Sequence, residues 1–155
     1  MRATYRVLAI LVPVIVVLQA SFIALGVFGL GTWVKDGHNF TKDVLEHGGA
    51  TGDVGFALHG FGAMATALVS LLLLAVSFFA KIDGGVKTAT LLFLDMVLQW
   101  VLAFVAFSAW AVGILHGLNA FVMFGLAMNA VTAANRSIAG ATTSPSPAET
   151  SRRGA

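Results

Sequence analysis

The chain has 155 residues, of which 58% are hydrophobic and only 10% are charged, and its mean hydropathy is +0.91. Soluble domains average about 25% charged residues, so this composition excludes an ordinary soluble protein and indicates a membrane protein. There is no cysteine, which excludes disulfides, thiolate metal sites and c-type haem attachment. The pI is near 9.4, but the basic residues lie at the ends of apolar segments, so no nucleic-acid partner is expected.

Apolar segments in chain order predict four transmembrane helices. Residues 7–34 and 54–80 contain no charged side chain, and residues 88–135 contain only Asp95. About 20 residues cross a hydrocarbon core of about 30 Å, so the third segment is long enough for two crossings. We therefore predict an all-α, integral membrane four-helix bundle whose partner is the lipid bilayer, with spans at about 7–33, 54–80, 88–110 and 113–135.

The rest of the predicted domain organisation follows from these spans. Residues 1–137 form the transmembrane domain, with a long loop at 34–53. Residues 138–155, rich in Ala, Ser, Thr and Pro, have little apolar surface to bury and are predicted to be a disordered tail. The first span exceeds the apolar region of a signal peptide, about 7–15 residues, so we expect it to be retained.

The distribution of Lys and Arg predicts the orientation, because positive residues near span ends are retained in the cytoplasm. With a cytoplasmic N-terminus, only Lys35 and Lys42 lie outside. The basic residues inside are then Arg2, Arg6, Lys81, Lys87, Arg136, Arg152 and Arg153. We predict a multi-pass protein of the bacterial cytoplasmic membrane with both termini cytoplasmic and the 34–53 loop external.

Two short motifs recur in the two halves of the chain. Val17-Leu18-Gln19 in the first span returns as Val97-Leu98-Gln99 in the third, and Leu58-His59-Gly60 in the second returns as Leu115-His116-Gly117 in the fourth. Two polar-centred triplets in the same order indicate duplication of a helix hairpin. Because equivalent spans run in the same direction, the halves are predicted to be parallel repeats, related by an axis along the membrane normal.

The repeat makes His59 and His116 equivalent, both about 5–8 Å below the outer boundary. Ionisable residues inside a membrane are costly and usually functional. Two imidazoles facing each other, each about 2 Å from a metal, suit the axial ligation of haem b. Gly60 and Gly117 then offer small surfaces to the macrocycle. Three alternatives stay open, namely another His-bound metal, a quinone pocket, and packing through hydrogen bonds alone.

Gln19 and Gln99 lie deeper than the histidines in the predicted spans. They are expected either to form interhelical hydrogen bonds or to make a polar floor beneath the cofactor. Asp95 is four residues before Gln99 and shares its helix face, but Ile15 occupies the equivalent position of the first span. Asp95 therefore belongs to no symmetric site.

The stretches Phe56-Ala57-Leu58-His59-Gly60-Phe61-Gly62 and Ile114-Leu115-His116-Gly117-Leu118-Asn119 resemble a family of small, uncharacterised four-helix membrane proteins of actinobacteria and other bacteria. The resemblance covers about residues 5–135 and implies a fold rather than an activity. The plan is also similar to one half of haem A synthase, in which histidines near the outer ends of the second and fourth helices ligate haem. That resemblance puts His59 and His116 at ligand positions. This chain has one bundle, no cysteine pair and no His-Arg pair, since Gly60 follows His59, so the oxygenation chemistry is not implied.

The sequence thus predicts a b-type cytochrome-like membrane module that binds one haem between His59 and His116 near the extracytoplasmic face. Electron transfer, haem handling and redox sensing are the expected roles. A single haem on one side does not carry electrons across the bilayer, so a quinone or a respiratory-complex partner would be required. The alternative is a cofactor-free accessory subunit of a larger respiratory or transport complex. No catalytic residue is identified, which favours a non-enzymatic role without deciding it, and a homo-oligomer stays open.

Overall fold

The computed structural model describes residues 1–143, and four long helices make up most of them. These helices are α1 (Arg2–Lys35), α3 (Asp53–Ala80), α4 (Gly85–Ser108) and α5 (Gly113–Thr143). Each is long and apolar enough to cross a membrane. The predicted all-α architecture with four long apolar helices is confirmed. Long uncharged runs satisfy their backbone groups best as helices.

The connections between the long helices are short or locally capped. The loop between α1 and α3 contains a one-turn helix, α2 (Lys42–His47), whose cap residue Thr41 accepts a hydrogen bond from the Val44 amide at 3.3 Å. The turn between α3 and α4 includes Gly84 at φ +66°, a conformation that favours glycine. A single turn of 3₁₀ helix, Trp110–Val112, joins α4 to α5. Tight turns at both ends keep neighbouring helices antiparallel.

The last helix extends beyond the predicted end of the fourth span at residue 135. It continues to Thr143, so the start of the predicted disordered tail is helical. No proline interrupts α5, and the Arg2 guanidinium donates a hydrogen bond to the Ser137 carbonyl at 3.4 Å. The remainder of the predicted tail, residues 144–155, lies outside the described residues.

The four long helices pack in the cyclic order α1, α3, α4, α5. Each contacts its two neighbours in this ring, whereas across residues 1–143 no Cα atoms of α1 and α4, or of α3 and α5, come within 8 Å. The diagonal partners therefore face each other across the bundle axis. The two predicted histidine positions lie on one such pair, α3 and α5.

The core at the N-terminal end of the bundle joins α1 to α5 and to the α3–α4 turn. Tyr5 is fully buried, and its hydroxyl donates to the Gly85 carbonyl at 3.2 Å. Small buried side chains on α5 allow close helix approach there, namely Ala127, Ala130 and Ala134. This packing gathers the N-terminus, the α3–α4 turn and the end of α5 at one end of the bundle. The loop that contains α2 lies at the other end.

Glycines hold α1 against α3 near the loop end. A Cβ on Gly55 would overlap the Gly26 backbone nitrogen and lie 2.6 Å from the Gly26 Cα, and a Cβ on Gly29 would lie 2.8 Å from the Gly52 Cα. Only glycine allows two backbones to approach this closely. Gly55 is one helical turn before His59, so this contact positions the histidine relative to α1.

Candidate functional site

His59 and His116 come together across the diagonal of the bundle. Their ring centroids are 6.3 Å apart, and the ring planes make an angle of 68°. His59 lies near the start of α3 and His116 near the start of α5, so both are close to the loop end. Both side chains are half-buried. Two imidazoles thus share one level in the bundle.

Each histidine is anchored in the same way to the helix that precedes it in its half of the chain. The Nδ1 atom of His59 lies 3.1 Å from the Gln19 carbonyl oxygen, and the Nδ1 atom of His116 lies 3.0 Å from the Gln99 carbonyl oxygen. A carbonyl only accepts, so each Nδ1 carries the proton and donates it. In a ring protonated on Nδ1 alone, the lone pair is on Nε2, the atom that can then bind a metal.

Additional polar contacts surround His116. The Gln99 Nε2 atom donates to the His116 carbonyl at 3.0 Å and lies 3.4 Å from the His116 Nε2 atom. Asn119 donates through Nδ2 to the Gln99 Oε1 atom at 2.9 Å and to the Asp95 carbonyl at 3.3 Å. Asn119 is only 8% exposed, so this network is largely shielded from the surroundings. Its effect is to hold the Gln99 side-chain amide in one orientation.

The region around His59 lacks an equivalent network. Gly62 stands three residues after His59, where Asn119 stands three residues after His116. The Gln19 Oε1 atom is buried without a hydrogen-bond partner, and it would lie 2.7 Å from a Cβ on Gly62. Gln19 therefore contacts His59 through its main chain, while its side-chain amide rests against Gly62.

Four of the six predicted site residues form two contacting pairs, Gln19 with His59 and Gln99 with His116. The two predicted glycines do not join them. Gly60 and Gly117 are exposed, and a Cβ on either would meet no atom within 4 Å. Sequence reasoning assigned no role to Asn119, although its i+3 spacing from His116 places both side chains on one helix face.

The separation of the two rings can be compared with that of two imidazoles bound to one iron atom. Two iron–nitrogen bonds of about 2 Å, extended by about 1 Å from each nitrogen to its ring centre, put axial imidazole centroids about 6 Å apart. The observed distance is 6.3 Å. The ring separation is thus near that of two axial imidazoles, although the His116 Nε2 atom contacts the Gln99 amide nitrogen at 3.4 Å. Within residues 1–143, no group of three or more His, Cys, Asp or Glu side chains comes together.

The fold and the polar contacts define an all-helical bundle with four helices able to span a membrane and a histidine pair across one diagonal. Comparison of the chain with protein-family models, with curated proteins and with solved structures finds no match.

Proposed function

We propose that this protein is a multi-pass membrane protein that binds one haem b between His59 and His116, as a b-type cytochrome-like module. The observation that carries the proposal is the pairing of two imidazoles whose ring centroids are 6.3 Å apart, each oriented by a main-chain carbonyl. Bound haem would supply one-electron chemistry. The protein would supply two axial ligands, a low-dielectric surrounding and hydrogen bonds to the ligands, which tune the iron potential.

The duplication of a helix hairpin forms part of this proposal. The contact of His59 with the Gln19 carbonyl recurs as the contact of His116 with the Gln99 carbonyl. If α1 changes places with α4, and α3 with α5, every helix keeps the same two neighbours in the ring. Both observations support an axis that relates the halves and passes between the histidines. Such an axis is expected for parallel repeats in a membrane.

The direct test is a visible spectrum of the purified protein. After expression with ample haem and purification in detergent, we expect a Soret band and, on reduction with dithionite, the sharp α and β bands of six-coordinate low-spin haem. A quinone or a respiratory partner is the proposed electron donor or acceptor, because one haem near one face does not carry electrons across the whole bilayer. A colourless protein obtained under haem-replete conditions would overturn the proposal.

The proposed location is the bacterial cytoplasmic membrane, with both termini cytoplasmic. The N-terminus and the α3–α4 turn share one end of the bundle, as the Tyr5–Gly85 hydrogen bond shows, and that end holds most of the Lys and Arg residues. We expect an alkaline phosphatase reporter inserted in the 35–53 loop to be active and a reporter fused after Arg136 to be inactive. The opposite pattern would invert the orientation and place the histidine pair near the cytoplasmic face.

A second candidate function is a cofactor-free accessory subunit of a larger respiratory or transport complex. One observation favours it, since both ring nitrogens of His116 already face partners within the chain. A histidine that serves helix packing alone would be engaged in this way. The same spectrum separates the two functions, because the accessory subunit is colourless.

A further inference from the structure

We infer that the basic end of the bundle binds the phosphate headgroup of an anionic phospholipid in a cleft between the ends of α3 and α5. The inference takes from the proposed function only the membrane location and does not depend on haem. Its basis is a cavity of about 540 Å³ at the start of α1. Among the residues that line this cleft are Arg2, Ala3, Ala80, Lys81, Ile138 and Ala141.

The cleft lies where three helices have their ends together. Arg2 begins α1, Lys81 directly follows the last residue of α3, and Ile138 lies in the final turns of α5. α3 and α5 are diagonal partners, and their Cα atoms stay more than 8 Å apart throughout residues 1–143. A gap is therefore left between their ends beside α1. A headgroup bound in this gap would contact all three helices at once.

Positive charge at this end of the bundle is in excess and unpaired. Five cations lie here against one carboxylate, that of Asp83, so the formal net charge of the described residues at this end is +4. The ion pairs found within residues 1–143 are both in the loop at the other end. Unpaired basic residues near a membrane surface attract anionic lipid headgroups. The five cations are Arg2, Arg6, Lys81, Lys87 and Arg136.

The two cations that line the cleft have donors available for a ligand. The Arg2 guanidinium has five N–H donors, and its one hydrogen bond within the described chain goes to the Ser137 carbonyl at 3.4 Å. The Lys81 ammonium bonds to no other residue in the described part of the chain. A phosphate in the cleft would receive charge-assisted hydrogen bonds from both side chains, which are stronger than bonds between neutral groups.

Lys81 occupies a backbone position that usually belongs to glycine. Its φ is +52°, and no other non-glycine residue among residues 1–143 has a positive φ. Helices commonly end on glycine in this left-handed conformation, because a Cβ makes it costly. The dipole of α3 favours a cation at this helix end, which offsets part of the cost. A lysine in place of glycine keeps a positive charge at the cleft.

The apolar part of the lining distinguishes a lipid from a free phosphate ion. Ala3, Ala80, Ile138 and Ala141 present only methyl and methylene groups from their side chains. A free phosphate ion gains nothing from alkyl surface, and it loses hydration there. The glycerol and first acyl carbons of a phospholipid would cover this surface while the phosphate meets the two cations. Basic pockets between membrane helices are known to bind anionic headgroups in this way.

Addition of phosphatidylglycerol to the purified full chain in a neutral detergent tests the inference. We expect native mass spectrometry to show one retained lipid, and the apparent Tm to rise by about 5 °C, since a ligand that binds only the folded state stabilises it. Phosphatidylcholine and inorganic phosphate should each raise the Tm by less than about 1 °C. Equal effects of the two lipids would overturn the inference, and an equal effect of inorganic phosphate would replace the lipid with a free anion.

Two double variants of equal net charge locate the site. Arg2→Gln with Lys81→Gln removes both cations of the cleft, whereas Lys87→Gln with Arg136→Gln removes two cations of the same end that do not line it. The first should weaken phosphatidylglycerol binding about tenfold or more, because each basic residue near an anionic lipid contributes about fivefold in affinity. The second should weaken it less than about threefold.

The Tm of each variant without lipid shows whether it folds, and the single variants Lys81→Gln and Lys87→Gln repeat the comparison if a double variant does not. Equal weakening by the cleft and control substitutions would overturn the inference. The visible spectrum keeps this test apart from that of the proposed function. A coloured wild-type protein that does not select phosphatidylglycerol overturns the lipid site alone, and a colourless protein that does select it overturns the haem site alone.

Discussion

Replacement of either His59 or His116 with alanine is expected to abolish six-coordinate low-spin haem absorption completely. These two imidazoles are 6.3 Å apart in the bundle, and each is oriented by a hydrogen bond from Nδ1 to a main-chain carbonyl. Loss of one leaves no other histidine in the four long helices to replace it. The measurement is the ratio of Soret to protein absorbance, with the α band of the reduced protein as the marker of six-coordination.

The loop histidines provide the matched controls for this experiment. His38 stacks on Trp33 with ring centroids 4.7 Å apart, and His47 pairs with Asp43 on the short helix α2 at 3.1 Å. Both belong to the exposed loop segment, so His38→Ala and His47→Ala should retain the wild-type spectrum. If both variants of the bundle pair kept that spectrum as well, the assignment of the haem ligands would be wrong and the accessory-subunit function would replace it.

Substitution of Gly55 by alanine is expected to destabilise the bundle by about 2 kcal/mol or more, since overpacking costs about 1–3 kcal/mol and here a backbone must move. The new Cβ would overlap the Gly26 backbone nitrogen and lie 2.7 Å from the Phe22 carbonyl oxygen. A helix backbone cannot yield as a flexible side chain can. α1 and α3 must therefore separate, and the contact between His59 and the Gln19 carbonyl, one turn away, weakens with them.

Thermal unfolding in detergent, followed by tryptophan fluorescence, measures this cost, and haem content measures its effect on the site. We expect an apparent Tm lower by about 5 °C or more and a reduced Soret ratio. Gly125→Ala is the matched control, because a Cβ there meets nothing within 4 Å and alanine is the better helix former. A Gly55→Ala protein as stable as Gly125→Ala would show that the glycine contact between α1 and α3 does not form.

Much of the fold was predictable from the linear sequence because span length and the absence of charge are properties of contiguous residues. The predicted second span, 54–80, differs by one residue from α3, which begins at Asp53 and ends at Ala80. The end of α5 was not predictable in this way. Residues 136–143 are neither strongly apolar nor interrupted by proline, so composition alone did not distinguish a helix from a tail, and contact with the N-terminus of α1 contributes to the difference.

The candidate site, like the fold, was predictable only in part. The recurrence of Leu-His-Gly in the second and fourth spans was enough to pair His59 with His116, because equivalent positions in helices of equal direction reach equal depth. The rotation of each helix about its own axis was not contained in the motif. Gly60 and Gly117 show this, since they follow the histidines in sequence but lie on exposed surface with no neighbour near a Cβ.

By itself the sequence predicted the four long apolar helices, the basic end of the bundle and the approach of His59 to His116, all of which depend on composition and spacing along one chain. Only the tertiary structure decided that the polar contacts around the two histidines differ. Asn119 donates a hydrogen bond to the Gln99 side chain on α4, whereas Gly62 only packs against the Gln19 side chain on α1. Hydrogen bonds between helices depend on the angles and distances at which the helices pack, and the whole set of contacts determines these together.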